Sequence, residues 1–287
     1  MKGVWVVNTV LGLLKEAEKL LSSRYPNGTP RLDAELLLSF VLEKTRLSLL
    51  TWPEQVVEQR QITQFKNLVI RRLAGEPIAY IVGYKEFWSL SFQVCKDVLI
   101  PRSETEILLE QTLQCLSADV RLDILELGTG SGAVAIALSK ERPLWKILAV
   151  DYSKAALQQA QKNALALQAG QLEFLCSDWF SHLPQDKRFH AIISNPPYLS
   201  SDDNHLLEEG LCFEPREALV ASQNGYAALS HIVKEASHYL LPKGYLLLEH
   251  GFLQGEKLRT MLRDAGFSQI KTLVDLANLE RVTVAEF

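Results

Sequence analysis

The sequence of 287 residues predicts an α/β fold, in which a mostly parallel sheet is covered by helices and is preceded by a small helical domain and a β-hairpin linker. The C-terminal part alternates short apolar runs with helical stretches, as parallel sheets do. The N-terminal part repeats apolar residues at helical spacing. A segment rich in aromatic and β-branched residues separates the two parts and indicates a hairpin. These patterns divide the chain into residues 1–74, 75–103 and 104–287.

The first 74 residues are predicted to form a bundle of three to five helices. Breaks at residues 26–30 and at Pro53 separate three stretches of helical apolar periodicity. The periodic residues are Leu11, Leu14, Ala17, Leu20 and Leu21, then Leu32, Leu36, Leu37 and Phe40, and then Ile62, Phe65, Leu68, Val69 and Leu73. Gly75, Glu76 and Pro77 end the bundle.

After Pro101 the pattern predicts seven strands. Apolar runs at residues 122–127, 147–150, 172–176, 191–194 and 245–248 alternate with helical stretches at 133–140, 153–167, 226–241 and 255–265. Two further strands, at 270–274 and 281–285, have little room between them. We therefore expect those two to be antiparallel neighbours at one edge of the sheet.

The composition excludes several classes of protein. The formal net charge is −4, which argues against a large nucleic-acid surface because such surfaces are basic. Four cysteines and six histidines lack the spacing of a disulfide framework or a metal site, so we expect reduced thiols and no metal. The sequence has no run of about 18 apolar residues, so it predicts no membrane span. Charged residues interrupt the apolar N-terminal stretch, unlike a signal peptide, so a cytoplasmic protein is expected.

A glycine-rich loop, with the sequence ELGTGSG, occupies residues 126–132 between the first sheet strand and a helix. Glycines at this position let the backbone turn tightly and approach a ligand. Asp151 ends the next strand, where a carboxylate can accept hydrogen bonds from both hydroxyls of a ribose. Nicotinamide dinucleotides and the nucleoside part of S-adenosylmethionine both fit this pattern, so the loop predicts a ligand without identifying it.

The tetrapeptide Asn195-Pro196-Pro197-Tyr198 follows the strand at 191–194. Its two prolines fix the backbone and lack N–H groups, which leaves carbonyl oxygens as acceptors. The Asn195 oxygen and the Pro196 carbonyl can hold the two N–H bonds of a planar amide or amino group, and Tyr198 can stack on it. The nitrogen then presents its out-of-plane face to a methyl donor. This arrangement predicts an N-methyltransferase.

Three other functions compete with this interpretation. A DNA adenine amino-methyltransferase uses a closely similar tetrapeptide on a flipped base, but the acidic composition disfavours it. A nicotinamide oxidoreductase explains only the glycine loop. A binding module that senses the cofactor leaves the intact tetrapeptide without a role.

The sequence resembles the protein-(glutamine-N5) methyltransferases that modify peptide-chain release factors, the PrmC/HemK family, over nearly its whole length. The resemblance rests on seven motifs, GEPIAYI at residues 75–81, EFW at 86–88, LIPR at 99–102, SDWF at 177–180, NPPY at 195–198, FEP at 213–215 and ERV at 280–282. Ser103 departs from the proline usual in the family, and Glu280 departs from the commoner aspartate.

The resemblance implies a class I, Rossmann-like methyltransferase domain with a seven-stranded sheet and S-adenosylmethionine as cofactor. It implies that the acceptor is the glutamine of the Gly-Gly-Gln loop of class I release factors, and that residues 1–74 recognise the release factor. Asn195, Pro196 and Tyr198 would be catalytic, and Pro197 would complete the substrate site. The implied cofactor-binding residues are Gly128, Thr129, Gly130, Ser131, Gly132, Asp151, Trp179 and Asn195.

An acidic segment follows the tetrapeptide. Residues 202–217 carry six carboxylates against one arginine. Since the segment follows Tyr198 directly, we expect an acidic rim at the acceptor's entrance that attracts a basic protein loop. The carboxylates are Asp202, Asp203, Glu208, Glu209, Glu214 and Glu217.

Overall fold

The structure is a computed structural model that describes residues 8–207 and 210–287. The chain divides into two compact units, of which the first ends at Gly83 and the second begins at Tyr84. This division lies within residues 75–103, the segment for which the sequence indicates a hairpin linker.

The first unit contains five helices among its described residues. They are α1 (Val10–Arg24), α2 (Pro30–Leu42), α3 (Arg46–Thr51), α4 (Gln59–Leu73) and α5 (Ile78–Val82). Their apolar faces form one core that includes Leu13, Leu37, Phe65 and Ile81. Helix α5 lies in the segment expected to be a hairpin, and it is helical because Ile81 and Val82 bury their side chains in this core.

The second unit begins with the hairpin of β1 (Tyr84–Phe87) and β2 (Leu90–Gln93). The two turn residues Trp88 and Ser89 both have positive φ, as the right-handed twist of a two-residue hairpin requires. Phe87 and Phe92 pack edge to face and lie in the core of the large sheet.

Seven strands form that sheet in the order β5-β4-β3-β6-β7-β9-β8. All pairings are parallel except those of β9, which runs antiparallel to β7 and β8. The predicted seven-stranded, mostly parallel sheet is confirmed, as is the antiparallel edge. The strands are β3 (Asp123–Leu127), β4 (Lys146–Asp151), β5 (Leu172–Cys176), β6 (Phe189–Ser194), β7 (Leu240–Glu249), β8 (Ser268–Val274) and β9 (Glu280–Glu286).

Helices cover both faces of this sheet. They are α6 (Thr105–Cys115), α7 (Ala133–Glu141), α8 (Lys154–Ala166), α9 (Ala227–Ala236) and α10 (Gly255–Asp264). Ile193 faces the core lined by α6 and α7, whereas its neighbour Ile192 faces the core lined by α9 and α10. Side chains alternate between the faces of a strand, so both faces are apolar and both are covered.

One helical prediction needs correction, and one helix was not predicted. The stretch at 226–241 was expected to be one helix, but α9 ends at Ala236 and β7 begins at Leu240, which pairs with Phe189. Helix α6 had no sequence prediction. No helix in the described part of the chain combines the length and the apolar character that crossing a membrane requires.

Candidate active site

A cleft of about 440 Å³ lies where β3, β4 and β6 end. These strands are neighbours in the sheet, with Leu127 paired to both Val150 and Ser194. Their following residues therefore meet at one edge, where open α/β sheets bind ligands. The volume lies within the range of roughly 300–1,000 Å³ typical of small-molecule sites.

The glycine loop forms one wall of the cleft through Gly128 and Gly130. Gly128, Gly130 and Gly132 have φ values of 73°, 56° and 82°, in the left-handed region that side chains disfavour. The N–H groups of Gly128 and Thr129 both donate to the Val150 carbonyl, at 2.8 and 2.9 Å. The loop is thus tied to the end of β4.

Asp151, the last residue of β4, also holds this loop. Its Oδ2 accepts from the Gly130 N–H at 2.8 Å, and its Oδ1 accepts from the Ser153 N–H at 2.8 Å. Burial raises the pKa of Asp151, these N–H bonds oppose the rise, and the charge of Glu217 adds to it. Each carboxylate oxygen has a second lone pair, so the group retains acceptor capacity for a ligand.

The side chains of Thr129 and Ser131 are buried beneath the loop. The Thr129 hydroxyl donates to Glu126, and the Ser131 carbonyl accepts from Asn163. Burial raises the pKa of Glu126 to about 7. Among the implied cofactor residues, Thr129 and Ser131 therefore shape the loop through buried contacts.

Two aromatic residues line the cleft, Trp179 and Tyr152. Trp179 follows β5 with a φ of 48°, and its half-buried ring would lie 4.0 Å from a Cβ placed on Gly128. Tyr152 follows Asp151 directly and is 72% exposed. The sequence interpretation included Trp179 and missed Tyr152, although its place beside Asp151 could have indicated it.

The tetrapeptide, here called the proline loop, contributes Asn195 and Pro197 to the same cleft. Pro196 is buried. Asn195 donates from Nδ2 to the Thr105 hydroxyl at 3.1 Å. The structure thus brings Asn195 together with the glycine loop, Asp151 and Trp179, as the sequence interpretation required.

Tyr198 is fixed by the segments around it. Its carbonyl accepts from Gln254 Nε2 at 3.1 Å and packs so closely on Gly225 that a Cβ there would lie 2.2 Å from the oxygen. Burial raises the pKa of the Tyr198 hydroxyl, and the nearby Glu249 carboxyl adds to the rise. The phenol is therefore neutral at physiological pH.

The acidic segment does not form the expected rim throughout. Glu214 is buried, accepts from the Ile100 N–H at 3.0 Å and pairs with Arg102 at 2.5 Å. Glu217 lines the cleft itself, and Asp202 is exposed. Glu208 and Glu209 lie outside the described residues. Glu214 thus fixes residues 100–102, which precede α6, through these two contacts. Its position in the sequence alone did not reveal this role.

The two departures from the family pattern lie away from the cleft lining. Ser103 is exposed, and its hydroxyl donates to Glu104. Glu280 accepts from Arg259 at 2.8 Å. Further lining residues come from two loops, Asp97, Val98 and Leu99 before α6, and Pro215, Glu217 and Ala218 after the proline loop. Among these six, the sequence analysis places only Glu217 near the acceptor's entrance, as part of the acidic segment.

A seven-stranded sheet with this strand order, whose glycine loop and proline loop share one cleft, defines a class I methyltransferase. Two solved structures support the fold. A 16S rRNA N2 methyltransferase from T. thermophilus, in complex with AdoMet and guanosine, is 23% identical, with a TM-score of 0.54 over 71% of this chain and 49% of its own. A methyltransferase from Pyrococcus furiosus is 16% identical, with a TM-score of 0.54 over 77% of this chain and 98% of its own.

Sequence relatives define the family more narrowly. The PrmC N-terminal domain matches residues 12–83, and the methyltransferase small domain matches residues 104–272. A release factor glutamine methyltransferase of Coxiella burnetii is 48% identical over 95% of this chain and 98% of its own. That of Aliivibrio fischeri is 45% identical over 90% and 91%. The chain belongs to the release factor glutamine methyltransferase family.

Proposed function

We propose that this protein transfers a methyl group from S-adenosylmethionine to the side-chain amide nitrogen, N5, of the glutamine in the Gly-Gly-Gln loop of class I release factors. The observation that carries the proposal is the meeting of Asn195 with Gly128, Gly130 and Asp151 in one cleft. A group that can orient a planar amide thereby lies beside a site that can bind a nucleoside.

The charge of the cleft supports S-adenosylmethionine as the cofactor. Four carboxylates are among the described residues that line it, Asp97, Asp151, Asp178 and Glu217, whereas no lysine, arginine or histidine is. A dinucleotide would place a pyrophosphate among these acids, with no basic group to offset the repulsion. S-adenosylmethionine instead carries a sulfonium and an ammonium group. Calorimetric titration should give binding of S-adenosylmethionine and none of NADH.

The proline loop provides the acceptor contacts in this proposal. The Asn195 oxygen and the Pro196 carbonyl accept from the two N–H groups of the glutamine amide. Tyr198 stacks its neutral phenol ring on the amide plane. These contacts direct the out-of-plane face of the nitrogen toward the cofactor, so that the geometry of attack is set before reaction.

When bound, S-adenosylmethionine supplies an electrophilic methyl group. Transfer of that methyl group to the nitrogen would break the carbon–sulfur bond, and its electron pair would remain on sulfur. The nitrogen then loses one proton to water. The nitrogen becomes more acidic as it gains the methyl group, so it can lose this proton without a dedicated base. The Asn195 oxygen and the Pro196 carbonyl accept from its N–H groups throughout the transfer.

Mass spectrometry of a release factor incubated with this protein and S-adenosylmethionine tests the proposal directly. We expect a gain of one methyl group on the glutamine of the Gly-Gly-Gln peptide. Transfer to another residue, or to duplex DNA offered as an alternative acceptor, would contradict the assignment.

We assign release-factor recognition to the helical N-terminal domain, residues 1–74. Support comes from large apolar side chains that are exposed in and just after α3, because exposed apolar surface is used to bind partners. Leu47, Trp52 and Val56 are 72%, 63% and 64% exposed. Trp52→Ala should raise KM for the whole release factor and leave KM for a short Gly-Gly-Gln peptide unchanged. Equal effects on both substrates would contradict this role.

A further inference from the structure

Asn195 stands at the end of a chain of polar side chains that leads into the core of the second unit. Its Nδ2 donates to Thr105 Oγ1 at 3.1 Å, and the Thr105 hydroxyl lies beside the carboxyl group of Glu249, whose pKa it lowers. Thr105 and Glu249 are only 6% and 1% exposed. The three residues come from the proline loop, the start of α6 and the end of β7.

The chemistry of the three groups sets the direction of the hydrogen bonds between them. A threonine hydroxyl has one proton to donate, and the ionised form of Glu249 can only accept it. If Thr105 donates to Glu249, its oxygen can only accept from Asn195. The Nδ2 branch of the amide is then held toward Thr105, and the Oδ1 branch is the one left for a ligand.

We infer that Thr105 and Glu249 are positioning residues, which fix the amide of Asn195 so that Oδ1 meets an N–H group of the acceptor. This inference rests on the proposed function, because it assigns the partner of Oδ1. A flipped Asn195 would present its own N–H group to the acceptor's N–H group, and the two donors would leave both unsatisfied. Orienting the amide in advance removes this competing state.

The buried Glu249 carboxyl group has an unsatisfied oxygen and a raised pKa, and both support a role beyond stability. Its Oε2 is buried and has no hydrogen-bond partner among the described residues. Burial raises the pKa of Glu249 to about 7, Glu104 adds to the rise, and Arg281 and Arg102 oppose it. A buried carboxyl group that lacks a full set of partners costs stability, and such groups concentrate at functional sites.

Removal of the Thr105 hydroxyl is the central test. Thr105→Val keeps the shape of the side chain, and we expect kcat for release-factor methylation to fall about tenfold, the scale of one hydrogen bond. The dissociation constant for S-adenosylmethionine should change less than twofold. Thr105→Ser restores a hydroxyl and should recover most of the lost rate.

The same helix provides a matched control in Thr112. This residue is also fully buried, but its hydroxyl donates to the Leu108 carbonyl within α6. Thr112→Val therefore removes an equivalent hydroxyl without touching the chain from Asn195 to Glu249. It should leave kcat unchanged, and a loss equal to that of Thr105→Val would overturn the inference by showing that α6 acts only through stability.

Glu249 gives a second, independent pair of variants. Glu249→Gln retains a carbonyl that can accept from Thr105, whereas Glu249→Met removes every acceptor at similar size. We expect Glu249→Met to lose at least as much kcat as Thr105→Val, and Glu249→Gln to lose less. The reverse order would contradict the inference.

A double-mutant cycle separates positioning from structure. In an Asn195→Ala background, Thr105→Val should have no further effect on single-turnover rate, because the amide that it orients is gone. The same fractional loss in both backgrounds would overturn the inference. Absence of glutamine methylation by the unmodified protein would instead contradict the proposed function, so the two failures are distinguishable.

Discussion

The glycine loop and the proline loop leave neighbouring strands at the same edge of the sheet, yet they are held in opposite ways. The glycine loop points N–H donors at β4, where the Val150 carbonyl and Asp151 accept them. The proline loop lacks two of its N–H donors and is fixed by packing and by side chains, as at Gly225 and Gln254. The glycine loop is therefore held by its own backbone donors, whereas the proline loop is held by packing and by a side-chain donor.

Each loop also has a threonine and a buried glutamate behind it. Thr129 donates to Glu126 under the glycine loop, and behind the proline loop Thr105 accepts from Asn195 and lies beside Glu249. The first pair lies within four residues of sequence, whereas Thr105 and Asn195 are 90 residues apart. One support is local and the other depends on the assembled sheet.

The largest expected effect is on the proline loop. Asn195→Ala removes the side-chain oxygen that is proposed to orient the nitrogen receiving the methyl group. Single-turnover methyl transfer should therefore fall by ~10²–10³-fold, as on removing one preorganised polar group in other enzymes. The circular dichroism spectrum and the melting temperature should stay those of the parent. Near-normal turnover would remove Asn195 from the reaction.

The contrast between the loops also separates what the sequence could predict from what it could not. The five parallel strands, the glycine loop and Asn195 were predictable because apolar runs and the residues that end them are local signals. The Asn195–Thr105 bond and the Glu214–Arg102 pair were not, because each joins segments about 100 residues apart. Strand β7 was partly hidden because the apolar residues 239–241 continue the helical period of α9.

Gly225→Ala should disturb the proline loop from outside it. The new Cβ would lie 2.2 Å from the Tyr198 carbonyl oxygen, at a residue whose φ is 82°. Overpacking and left-handed strain together should lower the free energy of unfolding by about 3 kcal/mol. Urea denaturation measures this loss. An unchanged unfolding midpoint would show that the loop tolerates displacement.

The two buried glutamates should make stability depend on pH. Burial raises the pKa of both Glu126 and Glu249 from 4.5 to about 7, so the folded state favours their neutral forms. Their contribution is fully present below about pH 4.5 and is lost as pH rises through 7, at about 3 kcal/mol per group. Glu126→Gln and Glu249→Gln should each flatten the decline in unfolding free energy between pH 5 and pH 8. A decline as steep as the parent's in both variants would contradict these pKa values.

Asp151→Ala tests the glycine-loop side of the cleft. The carboxylate is expected to bind the ribose hydroxyls, and it also accepts from Gly130 and Ser153. Calorimetric titration should show a loss of ~1.5–3 kcal/mol in the free energy of S-adenosylmethionine binding, the scale of hydrogen bonds to a charged group. Unlike Asn195→Ala, it should leave kcat at saturating cofactor within a few-fold of the parent. An unchanged dissociation constant would place Asp151 outside the cofactor site.

The smallest effect is expected at Gly130. Its φ of 56° disfavours a side chain, but a Cβ there would meet no atom within 4 Å. Gly130→Ala should therefore cost about 1 kcal/mol of left-handed strain and nothing from overpacking, a third of the loss at Gly225. Because the loop is held by donors that alanine retains, the cofactor dissociation constant should rise only if the bound ligand fills the space beside Gly130. Calorimetry and urea denaturation on the same variant separate these cases. Lower stability with unchanged affinity would show that the bound cofactor leaves room for a Cβ at Gly130. A loss of affinity well beyond 1 kcal/mol would show that the cofactor approaches the backbone where the Cβ would stand.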